Sequence, residues 1–422
     1  MSEFATERDR AADLIFDWNE VNRKGRILPK NATFFDETLR DGLQNPSVVD
    51  PSIDDKLKLL FLMEELGIHM ADIGLPGSSP RAFEDCLRIS KELTSAKAKL
   101  RVACAGRTVV SDITPMIELS QRAGVPIDVY AFIGSSPIRQ YAESWDVGLI
   151  AQRSAEAIDI AVKAGLEVTY VTEDTTRSRP DVLTTLFRAA IDHGASRICL
   201  SDTVGHATPD GVRNLIQFTK NVIAGTGRTD VGIDWHGHND RGLALENALW
   251  AFEYGADRVH ATGLGVGERV GNAPMELMLL NLKLLGQLDE GHDLTKLLEY
   301  SQLVSKALHW GIPINYPLVG RDAFRTATGV HAAAIIKSIA KGDRWLADRI
   351  YSGVPAGMIG RTQEICIGFM SGASNVNFWL ALRNIPSNER LVSEILRTAK
   401  GLDRIMTDDE VMAVVERVRE AS

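Results

Sequence analysis

Apolar positions along the chain fall into two alternating rhythms. Short runs that are continuously apolar or alternate with period two are TFFDETL (from Thr33), HMADIGLP (His69), KLRVACAG (Lys99), IDVYAFIG (Ile127), LEVTYVTE (Leu166), SRICLSD (Ser196), GIDWHGH (Gly232) and DRVHATGL (Asp257). Between them lie longer stretches such as DDKLKLLFLMEELG, VGLIAQRSAEAIDIAVKAG and PDGVRNLIQFTKNVIAG, with apolar residues at three- and four-residue intervals. The first rhythm predicts strands and the second amphipathic helices, so the order strand, helix, strand, helix implies a parallel sheet. Eight such units in roughly 250 residues match a (β/α)8 TIM barrel, whereas an open doubly wound sheet has about six strands and a Gly-rich turn after its first. The expected class is therefore α/β, a (β/α)8 barrel over 31–288 preceded by a helical extension (1–30). Beyond the barrel the pattern becomes helical, broken by GIPINYPLVGRDAF, and predicts an appended C-terminal helical subdomain over 289–422.

Polar residues gather where the predicted strands end: Arg40 and Asp41, Asp72, Glu173 and Asp174, Asp202 and Thr203, His236 and His238. In a barrel that rim carries chemistry, because its loops vary while the sheet holds them rigidly.

Composition narrows the function classes. Of 422 residues 45% are hydrophobic and 24% charged, an ordinary globular mixture that can bury a large core. Lys and Arg number 47 against 56 Asp and Glu, a formal charge of −9, which argues against a basic face for nucleic acid or anionic membrane. No run approaches the ~18 apolar residues of a membrane span, and the first residues carry acids where a secretory signal would not, so a cytoplasmic protein is expected. Cys86, Cys104, Cys199 and Cys366 are widely separated and read as free thiols.

The most pointed chemistry is WHGHND. His236 and His238, two apart on a strand, face one side and can reach one cation. A chance HxH pair is expected about 0.2 times in a chain with this histidine content, so the pair needs support. Asp41 supplies it: at the end of the first strand of a closed barrel it completes a two-His-one-carboxylate set with open positions for substrate oxygens. Such a cation would take the keto and carboxylate oxygens of a 2-oxo acid, with Arg40 adding planar hydrogen bonds to the same anion. Glu173 is a candidate for orienting or proton-transfer work, its alternative being a solvated acid beside Arg177. The segment GLGVGERVGNAP does not fit G-x-G-x-x-G. It reads either as a conformational loop or as a backbone cradle with Asn272 reaching the metal side.

Taken together, DETLRDGLQ, SDTVG, HGHNDRGLALEN and GLGVGERVGNAP resemble the metal-dependent Claisen-condensing family of 2-isopropylmalate, homocitrate and citramalate synthases, with hydroxymethylglutaryl-CoA lyase a more distant relative. The resemblance covers roughly residues 33–285 and implies a divalent cation (Mg2+, Mn2+ or Zn2+), acetyl-CoA as donor and a 2-oxo acid as acceptor. It suggests Asp41, His236 and His238 as ligands, Asn272 as a direct or water-mediated one, and Arg40, Gln44 and Thr203 as contacts to the oxo acid. TGVHAAAIIK and RIYSGVPAGMIGR resemble the family's lid segments. His331 and Tyr351 are thereby implied to act with Glu173 on the methyl proton of acetyl-CoA, in a homodimer whose C-terminal lids are exchanged.

Departures from the family pattern bear on the substrate. Asp72 stands where Glu is common and Tyr130 where isopropylmalate synthases carry His. Both positions face the acceptor's side chain, and with Arg107 and Arg139 they are candidates for a polar or anionic pocket. Leu43 and Arg241 are also unusual. The loop after the last strand lacks the catalytic Cys of the lyase, which favours condensation and leaves retro-Claisen cleavage as the alternative reading. No separate regulatory domain is expected after the lid, and so no leucine inhibition of that type. The acceptor is open among 2-oxoisovalerate, 2-oxoglutarate, pyruvate and a specialised oxo acid.

Overall fold

The computed structural model describes residues 11, 13–22, 27–289 and 292–420. Half of the expected N-terminal extension (1–10, 12 and 23–26) lies outside them. All eight expected strands are present: β1 Thr33–Asp36, β2 Met70–Asp72, β3 Arg101–Arg107, β4 Asp128–Gly134, β5 Val168–Glu173, β6 Arg197–Asp202, β7 Gly232–Gly237 and β8 Arg258–Ala261. They form a closed parallel barrel in sequence order. Closure comes from β1 on β8, with Thr33 opposite Arg258 and Asp36 opposite Ala261.

Each strand is followed by helix, and the local sequence says where the helices start. Ser52, Ser79, Ser136 and Asp146 accept hydrogen bonds from backbone N–H groups three residues on, satisfying donors that a helix start leaves orphaned. Pro80, Pro137, Pro180 and Pro209 open helices with a fixed φ and no N–H to waste. The helices Val110–Ala123 and Ala244–Tyr254 close on Gly124 and Gly255 in the left-handed region.

Three apolar clusters follow. The largest lies between barrel and helices, and it also takes in Leu297, Tyr300, Val304 and Leu308 from the first helix of the C-terminal segment, Leu297–Leu308. A small one, including Phe35, Met70, Ala103 and Tyr130, fills the barrel interior. The third, including Val376, Trp379, Leu391, Ile395, Val411 and Val415, joins the helices Ala373–Leu382, Glu389–Lys400 and Asp408–Glu420. Among the described residues no helix is long and apolar enough to cross a membrane.

Two buried acids tie the C-terminal segment to the barrel. The Tyr300 hydroxyl donates to Asp36 (2.5 Å) at the end of β1. Tyr316 donates to Glu276 (2.5 Å), whose other oxygen accepts from the Leu264 N–H (2.9 Å) in the loop after β8. Burial pushes Glu276 up from 4.5 to about 7, with the Tyr316 and Leu264 hydrogen bonds pulling the other way. Between the two values, an acid whose folded pKa exceeds its unfolded one keeps its proton in the native state and loses it on unfolding. Its contribution to stability is therefore present below pH ~4.5 and is lost as pH rises through about 7. Relative to Glu276→Gln, the wild-type thermal midpoint should fall between pH 5 and 7.5, by the equivalent of at most about 3 kcal/mol. A parallel pH dependence of the two midpoints would remove Glu276 as the cause.

Candidate metal and substrate site

Strand alternation aims every second side chain into the barrel. Counting inward from the rim, β7 and the residue after it contribute His238, His236 and Asp234, β8 contributes His260 and Arg258, and β1 with its loop contributes Asp41, Glu37 and Phe35. The result is a cavity of about 330 Å3 at the C-terminal mouth, lined among others by Arg40, Asp41, Gln44, Glu173, Thr203, His236 and His238.

Asp41, His236 and His238 are all buried and converge on one point. Asp41 Oδ2 lies 3.3 Å from His236 Nε2 and 3.4 Å from His238 Nε2, and the two Nε2 atoms are 3.2 Å apart. A cation about 2.1 Å from each donor would hold them ~3.0–3.4 Å apart in octahedral or tetrahedral coordination, so the triangle has the size of a metal site. Burial by itself would raise the Asp41 pKa, but the Arg40 guanidinium and the hydrogen bonds to His236 and His238 outweigh it and hold the carboxylate well below its usual range. Asn272 is drawn in by a bridge pairing with His238, and its buried Oδ1 has no hydrogen-bond partner. An orphaned oxygen beside a two-His-one-carboxylate triangle is what a fourth ligand looks like before its ion is counted. The donor set therefore fits a divalent cation.

The glycine-rich loop makes that approach possible. A Cβ on Gly267 would stand 1.8 Å from Asn272 Oδ1, and Gly271, at φ +87, comes as close to the Gly265 carbonyl. Asn45 from the loop after β1 pins the same segment, donating to the Gly267 carbonyl (2.7 Å). In SDTVG, Asp202 accepts from the His206 N–H (2.8 Å) and from Ala207, folding the loop so that Thr203 faces the cavity.

Glu37 and His260 are the site residues that sequence reasoning missed. Glu37 Oε1 is 2.9 Å from His236 Nδ1 and 2.5 Å from His260 Nδ1, while its other oxygen contacts the Arg40 guanidinium. His260 Nε2 lies 3.1 Å from Asp234, which Arg197 (2.5 Å) and Arg258 (3.7 Å) hold well below the usual carboxylate range against the effect of burial. Glu37, His236 and His260 also group closely enough for an ion. Yet the Glu37 oxygens are taken by two imidazoles and a guanidinium at hydrogen-bond and ion-pair contact, so this group orients His236 and leaves its Nε2 for the triangle. The available signal was parity: Glu37 and His260 lie an even number of residues from Phe35 and Arg258.

Other expectations fare differently. Arg40 lies between Glu37, Asp41 (3.5 Å) and Asp72 (3.3 Å) and is only 17% exposed. Asp72 does not line the cavity. It sits beneath Arg40, its pKa pushed by burial to about 6 while Arg40 pulls downward. Tyr130 presents its ring only, stacked on Phe35 at 4.7 Å; its hydroxyl points away, 2.9 Å from Asp234 and accepting from Arg258 (2.8 Å). Arg107 is outside the cavity, paired through Nε (2.8 Å) and Nη2 (2.9 Å) with Asp112, and Arg139 pairs with Glu143 (3.3 Å). The expected polar pocket around the acceptor is thus not built from these groups, because each has a nearer partner. Glu173 lines the cavity, and burial raises its pKa against the pull of Arg139 and Arg40; Arg177 pairs with Asp174 instead. The rings of His331 and Tyr351 meet at a tilt, with centroids 4.2 Å apart, on an exposed face and do not line this cavity.

Comparison with known proteins gives a consistent picture. The HMGL-like family model matches residues 31–304. The probable 2-isopropylmalate synthase of Ignicoccus hospitalis is 31% identical over 96% of this chain and 97% of its own length. The homocitrate synthase AksA of Methanopyrus kandleri is 30% identical over 93% of this chain and 94% of its own. In fold, the chain is similar to the HMG-CoA lyase of Bacillus subtilis, with a TM-score of 0.55 and 20% identity over 70% of this chain and 98% of that one. The hydroxymethylglutaryl-CoA lyase of Pseudomonas aeruginosa has a TM-score of 0.54 and 20% identity, covering 66% and 94%.

The geometry separates ligands from their supports. Titrating the protein with Mn2+ or Co2+ by calorimetry, Asp41→Asn and His238→Ala should lose measurable binding. Glu37→Gln should retain it with affinity lowered roughly 10- to 100-fold. Unchanged affinity in Asp41→Asn would remove the triangle as the site.

Proposed function

The chain belongs to the HMGL-like family, among the relatives of 2-isopropylmalate, homocitrate and citramalate synthases, and from that membership we propose that it is an acyltransferase condensing acetyl-CoA with a 2-oxo acid. The observation that carries this reading is the placement of the Asp41, His236 and His238 triangle, with Asn272, beside Arg40 and Glu173 in one cavity. Held by Asp41, His236 and His238 with Asn272, a divalent cation would supply Lewis-acid polarisation to the acceptor's keto group. Arg40 takes the acceptor's carboxylate with paired N–H donors, assisted by the side chains of Thr203 and Gln44, and Asp72 below keeps its guanidinium in place. Glu37 holds His236 in one tautomer and Arg40 in one orientation, so that ligand and substrate anchor keep a common geometry.

A base built from Glu173, His331 and Tyr351 removes a methyl proton from acetyl-CoA. The resulting enolate carbon bonds to the keto carbon, the keto oxygen takes up a proton, and water then cleaves the thioester to release CoA thiol and a 2-hydroxy dicarboxylic or tricarboxylic acid. The raised pKa of Glu173 suits a group that must accept a proton near neutral pH. The retro-Claisen lyase reading is weaker. The Gly263–Gly271 loop has no thiol, and Cys199, which does line the cavity, is kept protonated by burial.

We further propose a cytoplasmic homodimer in which the segment 289–422 is anchored to its own barrel by Leu297–Leu308 and serves as a lid on the neighbouring one. The His331 and Tyr351 pair is unused by its own cavity, and its chain neighbours Val330 and Ile350 are exposed apolar residues, 73% and 38%.

Release of CoA thiol should be seen with acetyl-CoA, Mn2+ and a panel of 2-oxo acids; silence across the panel would overturn the condensation. For the lids, His331→Ala and Asp41→Asn should each be inactive alone. After mixed refolding about a quarter of wild-type activity should return, because half the dimers then hold one intact site. No recovery would assign each lid to its own barrel.

A further inference from the structure

The wall opposite Arg40 decides what the acceptor's side chain can be. Ala105 on β3, the Tyr130 ring and Phe132 on β4, Val171 on β5 and Cys199 on β6 form it. Phe132 and Val171 are half-buried in a protein whose other barrel-interior apolar residues are fully buried, so their free surface faces the cavity. The wall offers no charged group, and its polar atoms are few: Ser201 beside Cys199 adds one neutral hydroxyl, and the others are spent. The Tyr130 hydroxyl is held below by Asp234 and Arg258, and the Cys199 thiol is neutral.

No cation remains for a second carboxylate. Among the described residues Arg40 is the sole Lys or Arg lining the cavity, and it serves the carboxylate that every 2-oxo acid carries. Arg107 borders an adjoining cleft with both its Nε and Nη2 on Asp112, and Arg139, whose charge is felt by Glu173, does not line the cavity and lies against Glu143 and the Trp145 ring. Arg197 and Arg258 lie beneath the cavity on Asp234. The acids that line the cavity besides the ligand Asp41 are Glu37, spent on His236, His260 and Arg40, and Glu173 and Glu268, which do not attract an anion. A distal carboxylate would be buried against hydrocarbon without a partner, whereas an alkyl or aryl group would cover Phe132 and Val171.

We propose that the acceptor is a monocarboxylic 2-oxo acid with a hydrophobic side chain larger than methyl, and that Phe132 and Val171 select it. This rests on the condensation reading above and narrows it. Dicarboxylic acceptors are excluded by the missing cation, and pyruvate is disfavoured because its methyl leaves the wall uncovered.

The test measures CoA thiol release by the metal-loaded full chain with 2-oxoisovalerate, 4-methyl-2-oxopentanoate, phenylpyruvate, pyruvate, oxaloacetate and 2-oxoglutarate. We expect kcat/KM for the best hydrophobic acceptor to exceed that for either dicarboxylic acid at least ~100-fold, and that for pyruvate ~10-fold or more. Val171→Arg should narrow the first ratio by lowering the hydrophobic rate and admitting 2-oxoglutarate. Phe132→Ala should narrow the second by weakening the larger acceptors more than pyruvate. Arg107→Ala should leave the ranking unchanged. A preference for oxaloacetate or 2-oxoglutarate, or a loss of dicarboxylic turnover confined to Arg107→Ala, would overturn the hydrophobic acceptor while leaving the condensation standing. Silence with all six would overturn both.

Discussion

The carboxylate of Glu37, buried where the first strand runs into its loop, is the constraint around which the site is arranged. One oxygen meets His236 and His260, and the other meets Arg40. A charge in such a place is expensive unless every lone pair has a partner, so each neighbour is fixed in turn. His236 must present Nε2 to the triangle, Arg40 must lie flat between three acids, and His260 must pass the requirement down to Asp234, Arg197 and Arg258. The inside of this barrel is therefore a column of paired charges beside a small apolar cluster, and the rigidity of the rim comes from the column.

That arrangement explains a division of labour in the cavity. Groups on β1, β7 and β8 are tied to one another and form a polar half in which a cation and a carboxylate can be held. Groups on β3, β4 and β5 have fewer charges to satisfy: apart from Glu173 at the end of β5, their cavity-lining positions are Ala105, Tyr130, Phe132 and Val171. The polar half has the chemistry common to a 2-oxo acid, and the apolar half faces whatever the acid carries beyond it. The C-terminal segment adds a third part, joined to the barrel through Tyr300 on Asp36 and Tyr316 on Glu276, with its His331 and Tyr351 turned outward.

Much of this was legible in the sequence, for local reasons. Strand and helix rhythms are properties of adjacent residues, so eight units and a closed barrel could be counted. The two-residue spacing in WHGHND puts two imidazoles on one face whatever surrounds them. Asp41 and Asn272 joined them because closing a barrel brings its first and last strands together. Glu37 stayed hidden beside Arg40 and Asp41, since an acid in a turn reads as solvated until its partners are known.

The sequence by itself determined the strand and helix order, the barrel, the candidate ligand set and the family. These depend on short-range periodicity and on motifs whose residues are neighbours or sit at strand ends. Only the tertiary structure decided which polar groups are already spent. Tyr130 gives its hydroxyl to residues 104 and 128 positions away, and Glu37 meets imidazoles 199 and 223 positions away. Arg107, by contrast, finds Asp112 only five residues on and so leaves the cavity. Whether a buried donor or acceptor is free for a substrate depends on which partner reaches it first, and that is settled by the closure of the barrel.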